Sequence, residues 1–166
     1  MTEQRQQEIY MEAAFNQAMK ARMIDEVPVG AVIVYEGKII ARAHNRRETK
    51  KNPCAHAELL AILKAAKKLR SWRLSGTELY VTLEPCPMCA GAIINSRIDR
   101  VYFGAYDPKA GAFGSLLDLN TYGLNHKPEI VGGILQDRCS LILKEYFQAK
   151  RQEKKESSVK RKAFFS

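Results

Sequence analysis

Apolar residues recur along the chain at intervals that alternate between helical and strand-like spacing. The opening segment is predicted to be an amphipathic helix, because its apolar positions share one face: Met11, Ala14, Phe15 and Ala18. This helix should end before the Val27-Pro28 turn, since the residue in front of a proline disfavours helical geometry. Residues 29–35 and 38–43 are rich in β-branched side chains and flank a short Glu36-Gly37 turn, so they are predicted to pair as a hairpin.

The same alternation continues to the end of the chain. A second helix is predicted around residues 59–66, a buried strand at 77–83, and a third helix that begins at Pro87, a residue suited to the first helical position. Two further strands at residues 100–103 and 130–131 enclose a long loop rich in Gly and Asn, and loops of this length are usually functional or disordered. A final helix carries Cys139, Ile142, Leu143, Tyr146 and Phe147. This pattern predicts an α/β fold, a three-layer α/β/α sandwich around a central mixed five-stranded sheet.

Length and charge add a domain count and a class of partner. The 166 residues fit one domain, residues 1–153, followed by a basic tail at 154–166 that is expected to fray. There are 27 Lys and Arg residues against 18 Asp and Glu, and the net charge of +9 favours a polyanion, nucleic acid before an anionic membrane surface. The absence of a long apolar run and of a secretory segment predicts a cytoplasmic protein without a membrane span.

Three residues have the chemistry and the spacing of zinc ligands. His56 lies near the start of the second predicted helix, and Cys86 and Cys89 are three residues apart at the start of the third. The positive end of a helix favours thiolates, the form of cysteine that binds zinc. A structural zinc normally takes four protein ligands, whereas a catalytic zinc keeps one position open for water. Three ligands with Glu58 left unbound therefore predict one catalytic zinc per chain.

The predicted site has the parts needed for hydrolysis. A catalytic zinc lowers the pKa of its bound water from 15.7 to about 7, which makes hydroxide available at neutral pH. Glu58 can take the proton of that water, pass it to a ring nitrogen of an amidine-like base, and later protonate the departing amine. The pattern H-x-E…P-C-x-x-C is the signature of zinc-dependent nucleobase deaminases. The predicted reaction is hydrolytic deamination of an aromatic amidine.

Other interpretations of these residues stay open at this stage. The two cysteines could form a thioredoxin-like redox pair, although that leaves His56 and Glu58 without a role. Cys54 could be the fourth ligand of a closed structural zinc. Glu58 could merely complement a helix dipole, and for Glu84 that is the preferred interpretation. Trp72 is interpreted as a packing residue rather than a platform for base stacking.

Beyond the metal motif, the chain resembles the bacterial tRNA-specific adenosine deaminases of the cytidine deaminase-like superfamily. The resemblance runs from Tyr10 to about Lys155, and it is carried by residues 26–31, 43–45, 55–58, 71–74, 79–86, 88–92, 96–98, 103–105, 114–116 and 125–126. It implies the cytidine deaminase-like fold and conversion of adenosine to inosine at the wobble position of an arginine tRNA anticodon. It also implies a homodimer with one zinc ion in each subunit.

The resemblance also implies a set of substrate-binding residues. Asn45 matches the asparagine that hydrogen-bonds the flipped base in these enzymes, and Asp107 is a weaker candidate in the loop at the substrate mouth. The residues that match contacts to the anticodon loop are Arg47, Arg73, Lys109, Phe147 and Arg151. Cations hold phosphates and an aromatic ring can stack on an extruded base, so these residue types suit the role. Each cation could equally be a solvated surface charge, and Phe147 could be a core residue.

Two other functions remain open from the sequence. A deaminase of a free nucleoside, nucleotide or base, such as cytidine, deoxycytidylate or guanine, would share the zinc apparatus but would need no basic surface. A non-catalytic RNA-binding module that keeps zinc for structure is the alternative from a different class. The presence of Glu58 argues against that module, because a structural metal needs no free carboxylate beside it.

Overall fold

The computed structural model describes all 166 residues, and it contains four α-helices, five strands and one short 3₁₀ helix. The 3₁₀ helix spans Leu119–Thr121. The other elements follow in the order α1 (Glu3–Met23), β1 (Gly30–Tyr35), β2 (Lys38–His44), α2 (Ala57–Leu69), β3 (Thr77–Leu83), α3 (Pro87–Asn95), β4 (Arg100–Ala105), β5 (Glu129–Gly132) and α4 (Gln136–Phe165).

The five strands form one mixed sheet in the order β2-β1-β3-β4-β5, which confirms the predicted fold class. Strand β1 pairs antiparallel with both β2 and β3, whereas β3, β4 and β5 run parallel. Side-chain contacts join α1 and α4, among them the Arg22–Glu145 ion pair, and α2 packs beside α3. Strands β1 and β3 are buried along nearly their whole length, as expected for central strands that helices cover on both faces.

The sheet topology brings several chain segments together at one end of the central strands. Because β1 is antiparallel to β3, the start of β1 lies beside the end of β3, and the end of β2 lies there as well. Helix α3 begins shortly after β3 ends, and α2 follows the end of β2 after the loop at residues 45–56. Ligand sites in α/β sheets commonly lie outside the carboxyl ends of the strands. The two helix starts that carry the predicted zinc ligands therefore meet at this end of the sheet.

The C-terminal segment differs from the expectation of a frayed tail. Helix α4 continues without interruption to Phe165, although every residue from Arg151 onwards is exposed. Lys, Arg, Glu, Gln and Ala dominate this segment, and all of them have high helix propensity. Extending an existing helix also avoids the cost of nucleation. No helix of the structure combines the length and the apolar character that crossing a bilayer requires.

Candidate active site

His56 and Cys86 occupy equivalent positions in the fold, each as the N-cap of a helix. His56 precedes α2 and Cys86 precedes α3, and both have extended backbone conformations. Neither side chain caps its own helix, so both are free to point elsewhere. Pro87 is the first residue of α3, as predicted, and Cys89 lies one turn further along with its thiol buried. The local geometry therefore presents an imidazole and two sulfurs to one point.

The distances between these three side chains fit a zinc ion. The Nδ1 atom of His56 lies 3.7 Å from the Sγ atom of Cys86 and 3.5 Å from that of Cys89. Zn–N and Zn–S bonds of 2.0–2.3 Å around a tetrahedral ion place two ligand atoms about 3.6 Å apart. The cluster consists of these three residues alone, and Cys54 is exposed outside it. The arrangement supports a zinc ion with an open fourth position rather than a closed structural site.

The titration behaviour of the ligands also suits a metal. Hydrogen bonding by the Cys89 thiol, together with the nearby His56, lowers the pKa of Cys86 to about 4, so its thiolate exists at neutral pH. The hydrogen bond to Cys86 in turn raises the pKa of His56, and the Cys89 thiol has a raised pKa because it donates to Cys86. Thiolate is the form of cysteine that binds zinc, and the cluster favours it at Cys86, whereas Cys89 must still lose its proton when it binds the metal.

Glu58 is a buried carboxyl group in the first turn of α2. Only 4% of its surface is exposed, and burial raises its pKa to about 7. A carboxyl group with this pKa can both accept and donate a proton at neutral pH. A carboxylate that merely complements a helix dipole would gain from being solvated and ionised. The surroundings of Glu58 therefore favour a proton carrier.

A cavity of about 270 Å³ opens over the metal-binding cluster. Its apolar lining includes Val27, Val29, Leu83, Ala110 and Phe147. Its polar lining includes His56, Glu58 and Cys86 together with four further side chains, Asn45, Arg47, Glu84 and Asp107. An apolar cleft with a few convergent polar groups is the usual form of a small-ligand site.

Four of the seven predicted substrate-binding residues line this cavity: Asn45, Arg47, Asp107 and Phe147. The amide nitrogen of Asn45 donates to the carbonyl of Val27 at 3.4 Å, while its Oδ1 atom is buried without any hydrogen-bond partner. That oxygen is available to accept a hydrogen bond from a ligand. Phe147 is 44% exposed at the cavity edge, so the alternative of a core residue is wrong.

The other three predicted substrate-binding residues lie outside the cavity. Lys109 is exposed in the loop after β4, and Arg151 is exposed one helical turn beyond Phe147. The guanidinium of Arg73 lies 4.9 Å from the centre of the Trp72 ring. Trp72 itself is 62% exposed, so its interpretation as a packing residue is wrong. These cations could reach only the parts of a substrate that extend beyond the cavity.

Glu84 has a role that sequence reasoning missed. Its carboxylate, 2% exposed, accepts hydrogen bonds from the backbone N–H groups of Asp107, Phe113 and Ser115 and from the Ser115 hydroxyl. A Cβ atom at Gly111 would overlap this carboxylate. Glu84 also precedes the N-cap of α3, so it is not the first-turn carboxylate of a helix. It anchors the loop that carries Asp107 and Lys109. The sequence signal for this role was the position of an acidic residue directly after a buried strand.

A second buried carboxylate holds another segment that lines the cavity. Glu26 is almost fully buried and accepts hydrogen bonds from the backbone N–H groups of Glu48 and Thr49 and from the Thr49 hydroxyl. These bonds fix the segment between Asn45 and His56. The pocket wall formed by Val27, Val29 and Leu83 was also missed, because the ends of apolar strands carry no distinctive sequence pattern.

Fold and site together define a zinc-dependent deaminase, and comparison with known proteins agrees. Residues 4–105 match the family model of the cytidine and deoxycytidylate deaminase zinc-binding region. The "tRNA-specific adenosine deaminase" of Bacillus subtilis is 52% identical over 151 residues, which cover 90% of this chain and 94% of that protein. The enzyme of the same name from Haemophilus influenzae is 46% identical over 147 residues, 87% of this chain and 85% of that one.

A solved structure is similar over most of the fold. It comes from a study of A-to-I editing by tRNA:A34 deaminases at the wobble position of transfer RNA. It superimposes with a TM-score of 0.76 at 42% identity and covers 81% of this chain and 99% of its own. The chain therefore belongs to the zinc-binding cytidine and deoxycytidylate deaminase family and, within it, to the tRNA-specific adenosine deaminases.

Proposed function

We propose that this protein converts adenosine to inosine by hydrolysis at the wobble position of a tRNA anticodon. The observation that carries the proposal is the three-ligand cluster beside buried Glu58 in a cavity, within a chain 52% identical to a tRNA-specific adenosine deaminase. The net charge of +9 supports a polyanionic substrate over a small neutral metabolite. Because tRNA is cytoplasmic, the proposed place of action is the cytoplasm.

In the proposed reaction, water adds to the base and ammonia leaves. His56, Cys86 and Cys89 would hold the zinc ion, which would make a nucleophile available at neutral pH by lowering the pKa of its bound water from 15.7 to about 7. Glu58 accepts the proton that this water releases and delivers it to a ring nitrogen of the base. Glu58 then takes the proton of the hydroxyl group now bonded to the carbon and gives it to the departing amine, so that the carbonyl forms and ammonia leaves. Asn45 orients the base through its unpaired Oδ1 atom, and Phe147 closes one side of the cavity against solvent.

The proposal extends to the substrate and the assembly. We infer an arginine tRNA, bound through its anticodon stem-loop, and a homodimer with one zinc ion per subunit, in keeping with the sequence resemblance. The surface supports self-association, since α2 leaves Leu63 exposed and α3 leaves Met88 exposed. Contact between the α2 and α3 surfaces of two copies would bury both side chains.

The test is a direct assay for inosine. The zinc-loaded protein is incubated with an arginine tRNA that carries an ACG anticodon, and the wobble nucleotide is analysed for inosine. The matched control is the same tRNA with guanosine at the wobble position, which should give no inosine. Free adenosine, cytidine and guanine are assayed in parallel. Efficient turnover of one of these small molecules, without inosine in the tRNA, would overturn the proposal in favour of a free nucleoside or base deaminase.

A further inference from the structure

Helix α4 consists of a part that packs on the body and a part that projects from it. The packed part is tied to the end of α1 by ion pairs, Arg22 to Glu145 at 2.9 Å and Lys150 to Asp25 at 2.6 Å. From Arg151 onwards every residue is exposed, and no side chain bonds to a residue outside the helix. With a rise of 1.5 Å per residue, the projecting part is about 22 Å long.

The charges of the projecting part are segregated by face. On a helix of 3.6 residues per turn, five cations lie within roughly 80° of the direction of Phe147: Arg151, Lys154, Lys155, Arg161 and Lys162. The acidic residues Glu153 and Glu156 lie more than roughly 100° away, together with Lys160. Phe147 lines the active-site cavity, so the cations continue from the side of the helix that borders the cavity.

This segregation of charge destabilises the free helix through repulsion between like charges. Arg151 lies three and four residues before Lys154 and Lys155, and like charges at these separations destabilise a helix. The acidic side chains that could neutralise them face the other way. No acidic side chain from the rest of the chain forms an ion pair with them. A polyanion alongside the helix would remove the repulsion and release counterions.

We propose that Lys154, Lys155, Arg161 and Lys162, here named the α4 cationic face, bind the phosphate backbone of the double-helical stem next to the reacting nucleotide. The inference rests on the proposed function, because it assumes RNA in the cavity. The four residues lie about 10 to 22 Å along the helix from Phe147, too far to touch the nucleotide in the cavity. A straight helix can lie alongside a double-helical stem, whose phosphates form a dense array of negative charge.

The test compares two double variants that lose the same charge. Lys154→Gln/Arg161→Gln removes two cations from the α4 cationic face. Lys160→Gln/Lys38→Gln removes one cation from the opposite side of the same helix and one exposed cation from the start of β2. Glutamine keeps a high helix propensity, so circular dichroism should show the same helix content in all three proteins. Binding is measured by salt titration with whole tRNA and with a single-stranded oligonucleotide of the anticodon loop.

The first variant should bind whole tRNA roughly an order of magnitude more weakly at 0.1 M salt. Its log–log salt slope should flatten by up to about 1.8, taking the value of about 0.9 per phosphate contact known for duplex DNA. Its binding of the loop oligonucleotide and its kcat at saturating tRNA should match those of wild type. The control variant should follow the wild-type titration within about half a slope unit.

The inference is overturned if the salt titrations of Lys154→Gln/Arg161→Gln and wild type superimpose. It is also overturned if both double variants lose the same affinity for tRNA. A loss of binding to anionic phospholipid vesicles without any change for tRNA would assign the face to a membrane surface instead. These outcomes are separate from a failure of the proposed function. Absence of inosine in tRNA treated with the wild-type protein would remove the function itself, whatever the titrations show.

Discussion

Glu58 is the residue on which the proposed chemistry depends most directly. It carries protons but is not part of the metal-binding cluster. We expect Glu58→Gln to retain about one zinc per chain and the wild-type fold, because glutamine has the same shape and needs no ionisation. Its rate of inosine formation should fall ~10²–10⁴-fold, which is the usual contribution of a general acid–base group. Single-turnover kinetics and metal analysis of the same preparation measure both quantities, and near-normal turnover would contradict the role of Glu58.

The cysteines allow a matched test of the metal site. Cys86→Ser/Cys89→Ser should lose zinc, since only one of three ligands remains, whereas Cys54→Ser should keep one zinc per chain. Cys54 is two residues from His56 in sequence but exposed and outside the cluster. Metal analysis after dialysis against a weak chelator distinguishes the variants. Zinc loss in Cys54→Ser would support a closed structural site with Cys54 as the fourth ligand.

Sequence spacing predicted the three ligands but could not explain how His56 and Glu58 serve one site. Two residues apart on a regular helix, they would point to different sides. The structure resolves this because His56 precedes the helix with an extended backbone, ψ 149°, and Glu58 lies inside the first turn. For Trp72, in contrast, the prediction from the sequence was wrong. Composition suggested packing, but whether a neighbouring element covers a tryptophan depends on the tertiary fold.

At the scale of elements, the loop after β4 depends on a single buried carboxylate. Replacing Glu84 with glutamine would turn an amide N–H₂ group towards two of its four donors, either the N–H groups of Phe113 and Ser115 or the N–H group of Asp107 and the Ser115 hydroxyl. A buried unsatisfied donor costs about 1–3 kcal/mol. We expect Glu84→Gln to lower the free energy of unfolding by that amount. We also expect it to raise the KM for tRNA more than it lowers kcat, because Asp107 and Lys109 lose their fixed positions while the zinc ligands do not.

Denaturant unfolding and steady-state kinetics measure these two effects of Glu84→Gln. The matched control is Asp118→Asn in the same loop, where the carboxylate accepts one bond from the backbone N–H of Asn120 and is only partly buried. This control should change both quantities little. Glu84→Asp should not keep the wild-type KM, because the shorter side chain cannot reach all four hydrogen-bond donors. Equal effects of Glu84→Gln and Asp118→Asn would contradict the anchoring role.

The helices and strands were predictable because their signals are local. Periodicity located all five strands, and β3 spans the predicted residues 77–83. The length of the loop at 104–128 indicated a functional or a disordered segment, but its conformation was not predictable. Glu84 bonds it across 23 to 31 residues of sequence, and no local pattern encodes such a contact. The continuation of α4 was missed because polarity was taken as a sign of fraying, although propensity favoured helix.

At the scale of the whole molecule, the cavity and the basic surface make different contributions to substrate binding. Asn45 lies inside the cavity with a free acceptor, whereas Lys109 is exposed outside it. A cation that contacts phosphate contributes through counterion release, and a single-stranded contact adds about −0.7 to the salt slope. A buried amide that contacts a base contributes through a hydrogen bond, which salt hardly affects.

These two kinds of contact should separate in a pair of variants. Lys109→Ala should weaken tRNA binding and flatten the log–log salt slope by about 0.7, with kcat at saturating tRNA close to wild type. Asn45→Ala should leave the slope unchanged and lower kcat, because the base loses the hydrogen bond that orients it towards Glu58 and the zinc site. Fluorescence titrations across a range of salt concentrations and single-turnover assays measure both variants. If Lys109→Ala and wild type give the same slope, Lys109 is an ordinary surface charge. If Asn45→Ala turns over normally, the base must be oriented by another residue of the cavity.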